Sequence, residues 1–181
     1  MPRWAKMKKC LCYLTASISA VLFAGNIYAA DTVGINVTGK VIATPCKTLN
    51  GGSSTLNVDL GQSIAATSLE AAGSGSPITM FDLPVTDCPA STTNVKVTFT
   101  GTPDQTDATR WANNAAQPAA NTAVELSQQT TGTILSNNSS LIGAVEGGST
   151  TFKLQARVYS KAGTVMPGDV SSAIVASFEY Q

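Results

Sequence analysis

Histidine is absent from the 181 residues, which removes the Ser-His-Asp and Cys-His arrangements of nucleophilic catalysis. Charge is scarce too. Asp, Glu, Lys and Arg make up 12% of the chain, and no spacing among the carboxylates singles out a pair for acid–base work. Four cysteines without a histidine, two of them at positions 10 and 12, leave no ligand set for a structural zinc ion. No long apolar run of 3.6-residue period occurs, so helical bundles are excluded. These absences argue against an enzyme and against any cofactor.

The N-terminus has the make-up of a secretory signal. Met1 to Lys9 carries Arg3, Lys6, Lys8 and Lys9, an apolar run extends from Cys10 to Gly25, and N-I-Y-A-A-D follows. The run is short for a membrane span and no second one follows it. Cleavage is expected after Ala29, with Ala30 as the alternative, and Met7 begins a second complete signal. The chain has eleven basic and eleven acidic residues; removing four basic ones leaves seven against eleven, a net charge of −4. Such a surface has no basic patch for phosphates, which argues against nucleic acid as a partner. About 150 residues remain, enough for one domain with a sizeable core. Cys46 and Cys88 survive the cleavage, and an even pair in an exported chain reads as one disulfide, two free buried thiols being the alternative. The loop it closes would contribute about 3–4 kcal/mol through the unfolded state.

The stretch Thr32 to Ile42, T-V-G-I-N-V-T-G-K-V-I, alternates strictly. Val33, Ile35, Val37 and Val41 share one parity with Gly39; Thr32, Gly34, Asn36, Thr38 and Lys40 share the other. That pattern predicts a strand with one buried and one wet face. Its apolar face needs a groove, in this chain or in another.

Alternation recurs downstream. Leu56, Val58 and Leu60 predict a strand closed by Gly61, after a turn at Asn50 to Ser53. Ile64 to Gly75 reads as a loop or a short helix around Ser68 to Ala72. Phe81, Leu83 and Val85, then Val95, Val97 and Phe99, predict two more strands. Asp104 to Asn121 is polar and alanine-rich, which predicts a long surface connection. Within it Trp111 reads as a partly buried anchor rather than a sugar-stacking ring, and Asp104 and Asp107 as solvated rather than cation-binding. Val124 and Leu126, Ile134 and Leu135 after the T-G-T turn, Phe152 to Val158, and Ile174 to Tyr180 complete the set. Short strands at turn-punctuated intervals describe an all-β sandwich.

The chain resembles subunits of the chaperone–usher fimbriae, and within them the type 1 fimbrial family and its small minor or adaptor subunits. The likeness covers the whole chain after the signal. Its marks are A-D-T-V-G-I-N-V-T-G-K-V-I-A-T-P-C, V-D-L-G at Val58 to Gly61, and D-C-P at Asp87 to Pro89. F-K-L-Q-A-R-V-Y at Phe152 to Tyr159, M-P-G at Met166 to Gly168, and the F-E-Y-Q ending add to them, with Gly168 fourteenth from the C-terminus.

The resemblance implies an immunoglobulin-like pilin domain that lacks its last strand and is completed by a donated one, a mode of strand addition. It implies a signal at 1–29, a donor extension at 30–43 running into the first strand, and a pilin domain at 44–181. Val33, Ile35, Val37, Gly39 and Val41 would be donor residues. Gly168, Ile174, Ala176, Phe178 and Tyr180 would line the acceptor groove and chaperone-binding edge, with Cys46 and Cys88 as the disulfide. The implied partners are neighbouring fimbrial subunits, a periplasmic assembly chaperone and an outer-membrane usher, with no small-molecule substrate and no cofactor. The implied destination is a fimbrium on the bacterial cell surface, reached through the periplasm. The competing class is a secreted carbohydrate-binding module or tip lectin, but two-domain adhesins of the family carry a separate receptor domain, for which about 150 residues leave no room.

Overall fold

Period-two alternation produces the same local structure wherever it finds a partner strand. The computed structural model describes residues 33–181; the signal expected at 1–29 lies outside them. The described residues fall into two units, one ending at Gly39 and the other running from Lys40 to Gln181. Residues 33–46 carry no regular secondary structure.

Nine strands follow in order. They are β1 (Thr48–Leu49), β2 (Ser74–Gly75), β3 (Thr79–Thr86), β4 (Asn94–Gly101), β5 (Trp111–Ala112), β6 (Ala123–Gln128), β7 (Ser140–Ala144), β8 (Thr150–Ser160) and β9 (Ile174–Tyr180). Among the described residues the only helical turns are short 3-10 segments at Asn50–Gly52 and Ala66–Leu69. The sandwich layers are a sheet ordered β1-β3-β8-β6-β5, with β2 also on β8, and a three-stranded sheet β7-β4-β9. All pairings are antiparallel. The chain passes from β7 in one sheet to β8 in the other through a tight turn on Gly147 and Gly148, both at positive φ, closed by an isolated bridge between Glu146 and Ser149.

The core lies between the sheets. Leu83 and Val85 of β3, Leu126 of β6 and Phe152, Leu154 and Ala156 of β8 meet Val95, Val97 and Phe99 of β4. The Cys46–Cys88 bridge seals one end. Beside it Asp87, at positive φ, accepts from the Thr48 hydroxyl at 2.6 Å and from the Lys47 amide at 3.3 Å, fixing the corner where β3 ends.

The structure departs from the sequence expectations at six places. Residues 33–42, expected as a strand, carry no regular structure, and Ile134 makes only an isolated bridge to Ser127 where a strand was expected at Ile134 and Leu135. The strand expected at Leu56 to Gly61 has no ladder, although Val58 and Leu60 still turn inward and half-bury. Its polar groups bond locally instead: Asn50 Nδ2 donates to Thr55 O, and Asp59 Oδ1 accepts from Gly61 N. Such side-chain bonds compete with a ladder wherever no neighbouring strand is at hand. β7 was not expected, because Leu141 and Ile142 break the alternation of their flanks. The connection from Asp104 to Asn121 is not simply a surface loop, since it folds over the outer face of the larger sheet. There Arg110 reaches Glu125 at 2.6 Å and lies over the Tyr159 ring at 4.4 Å, while Arg157 meets Glu125 at 2.8 Å. This cover explains why Ala123 to Ser127 of β6 are buried on both faces. Finally, Trp111 is fully buried rather than a partial anchor, and its Nε1 donates to Leu135 O at 2.8 Å. No face of that ring is available to a sugar.

Candidate functional site

β9 is an edge strand of the three-stranded sheet. It pairs with β4 in the register Ile174↔Gly101, Ala176↔Phe99, Phe178↔Val97 and Tyr180↔Val95. Among the described residues nothing pairs with its other edge. Ile174, Ala176, Phe178 and Tyr180 point inward and pack on the core, yet all four are only half-buried. Their partners Val95, Val97 and Phe99 are 0–2% exposed, so the sandwich is well filled on the β4 side and thin on the β9 side. Outward, Glu179 pairs with Lys96 at 3.0 Å on the surface, while Val175 stands 59% exposed.

The topology says what is missing. The order β1-β3-β8-β6 corresponds to strands A-B-E-D of an immunoglobulin-type sandwich and β4-β9 to C-F, with β7, which lies between β6 and β8 in the chain, added beside C. The G strand that would flank F has no counterpart among the described residues. Beside the end of β9 an open cleft of about 440 Å³ runs between Val41 and Ile42 on one side and Tyr180 and Gln181 on the other. Burial raises the Tyr180 phenol above its ordinary value.

The structure brings Ile174, Ala176, Phe178 and Tyr180 together on one strand face. Gly168 lies outside β9. A Cβ there would stand 2.5 Å from Ala119 N and 2.7 Å from Pro118 C, so glycine is required where the chain crosses the 118–119 backbone and Asp169 bridges Pro118. Val33, Ile35, Val37 and Val41 are 82–99% exposed, and nothing lies within 4 Å of a Cβ built on Gly39. Asp104 and Asp107 are occupied in closing their loop, Asp104 Oδ1 accepting from the Thr106 and Asp107 amides. The Thr109 hydroxyl holds the Asp107 carboxyl below its ordinary value. Sequence reasoning named Leu60 but missed Leu49; both pack half-buried against the core ahead of β3. The V-D-L-G alternation carried the signal for Leu60; Leu49 stands alone among polar residues and gave none.

Comparison with known proteins decides the family. A family model described as "Fimbrial protein" matches residues 35–181. The chain belongs to the fimbrial protein family. It is 33% identical over 174 residues to the S-fimbrial adhesin protein SfaS of Escherichia coli O6:K15:H31 (strain 536 / UPEC), covering 95% of this chain and 98% of that one. It is 32% identical over 170 residues to protein FimG of Escherichia coli K12, covering 93% and 95%. Among solved structures, the P pilus rod subunit PapA superposes with a TM-score of 0.62 at 21% identity, over 76% of this chain and 100% of PapA. A chaperone–usher pilus structure gives 0.61 at 21%, over 84% and 97%. At these identities the superpositions establish the pilin fold. This fimbrial protein is a structural subunit that associates with neighbouring subunits in an extracellular fimbria and reaches it through the periplasm.

Proposed function

We propose that this fimbrial protein polymerises by strand donation. The open edge of β9 accepts the N-terminal stretch of one neighbour, and the stretch Val33–Val41 is inserted into the next. The observation that carries this reading is the thin cover over Ile174, Ala176, Phe178 and Tyr180 beside an unpaired strand edge. An unpaired edge above an open core invites aggregation unless another strand covers it. The exposed stretch has the complementary pattern: Val33, Ile35, Val37 and Val41 share one parity, and Gly39 among them would suit a shallow pocket where donor and acceptor backbones approach closely. Burying those four side chains would contribute on the order of 5–10 kcal/mol, an upper figure at roughly 1.5–3 kcal/mol each. Main-chain hydrogen bonds along the edge add to it.

The same edge explains the remaining partners. In the periplasm an assembly chaperone would cover β9 until the donor of a neighbouring subunit replaces it at the outer-membrane usher. A subunit with both an acceptor edge and a donor stretch suits a position with neighbours on both sides, as a minor, adaptor or rod subunit. The structural role needs no catalytic residue. A carbohydrate-binding reading loses its best candidate with the burial of Trp111.

Equilibrium unfolding tests the proposal. Protein beginning at Ala43, with the Cys46–Cys88 bond intact, is unfolded in urea with and without a Thr32–Ile42 peptide. A large peptide-dependent gain in stability is expected, lost when Ile35 or Val37 of the peptide becomes Asp. A stable fold indifferent to the peptide would mean that the sandwich is already complete.

A further inference from the structure

We propose that Lys40 is a proteolytic switch: one cut by a trypsin-type protease turns the subunit from donor and acceptor into acceptor alone. The inference builds on the strand-donation reading above and adds a point of regulation to it.

Cleavage requires a backbone that can lie extended in the protease cleft, so unpaired and exposed backbone decides the site more than the side chain does. After the expected signal cleavage the chain has seven basic residues: Lys40, Lys47, Lys96, Arg110, Lys153, Arg157 and Lys161. Six of them are tied down. Lys96 is in β4, and Lys153 and Arg157 are in the central strand β8. Arg110 is 8% exposed, in an ion pair. The Lys47 amide donates to Asp87 O beside the disulfide. Lys161 accepts from Gly73 N on its carbonyl and donates from Nζ to Thr106 O.

Lys40 differs in every respect. It is exposed, lies in a stretch without regular structure, and makes no hydrogen bond among the described residues; Val41 after it is 99% exposed. No acid lies between Val33 and Lys47 to repel an acidic specificity pocket, and the nearest proline is Pro45. Water adds across the Lys40–Val41 bond, leaving a carboxylate on Lys40 and an amine on Val41. The released piece carries Val33, Ile35, Val37 and Gly39. The body keeps the disulfide, both sheets and the β9 edge. In a fibre, strand pairing would bury the same bond, so the cut selects unassembled subunits.

The test is a limited trypsin digest of the signal-free full-length chain, with the products mapped by mass spectrometry, beside a digest of assembled fibres. In the free chain the first product is expected to begin at Val41, with cleavage at least tenfold faster than at any other bond. Lys40→Gln should slow the first cut by about that factor, and fibres should resist it. The trimmed body should keep its near-UV spectrum and still gain stability from the Thr32–Ile42 peptide. A first cut after Lys47 or Lys161, or an unaltered rate in Lys40→Gln, overturns the switch while leaving the peptide response, and hence strand donation, standing. Equal cutting at Lys40 in fibres and free chain overturns both, because the stretch would then not be buried in the fibre.

Discussion

Strands β8 and β9 carry the same kind of sequence and meet different fates. Phe152, Leu154, Ala156 and Val158 alternate in β8 as Ile174, Ala176, Phe178 and Tyr180 do in β9. β8 has β3 on one side and β6 on the other, and its inward residues are 1–7% exposed. β9 has β4 alone, and its inward residues stay half-buried. Alternation therefore sets which side chains point inward, whereas a second neighbour sets whether they are covered. A strand covered on both edges is core; the same pattern with one edge open stays half-covered.

Substitutions on the two strands should separate these roles. The largest effect is expected from Leu154→Ala, which opens a cavity at a residue 1% exposed and should cost about 2–5 kcal/mol. Urea unfolding should give the same loss with and without the donor peptide; a loss that depends on the peptide would mean that β8, too, borders the groove. Phe178→Ala should cost less in the open protein, about 1–2 kcal/mol, and roughly 1–2 kcal/mol more once the peptide is bound, because only then is the site fully enclosed. Equal costs in the two states would erase the distinction between the strands. The smallest effect is a pH dependence. Burial favours the neutral Tyr180 phenol, so its contribution is present below the ordinary value of 10.0 and is lost as pH rises through the higher folded value. Stability should decline at alkaline pH, and Tyr180→Phe should flatten that decline; an unchanged profile would remove Tyr180 as its source.

Much of the molecule was legible beforehand because its signals are local. The positions of β3, β4, β6, β8 and β9 followed from apolar parity, and the tight turns from Gly, Asn and Pro. The Cys46–Cys88 pairing followed from export and cysteine number. What escaped depended on distant partners. Arg110 and Trp111 sit among polar and small residues that give no periodicity. Their burial comes from Glu125, Tyr159 and Leu135, which are far along the chain. Leu56 to Leu60 shows the converse, a good strand pattern left without a ladder because no strand pairs with it among the described residues.

Sequence alone determined that the chain is all-β, exported, without the histidine chemistry of hydrolases, and furnished with an apolar stretch at residues 33–41 and another at 174–180. It could do so because parity, turn residues and composition act over a few residues. Only the tertiary structure decided that β9 has one neighbour and an open edge, that Trp111 is core, and that Gly168 serves a backbone crossing at Pro118 and Ala119. Those outcomes depend on which distant segments meet, and no local pattern encodes the partner.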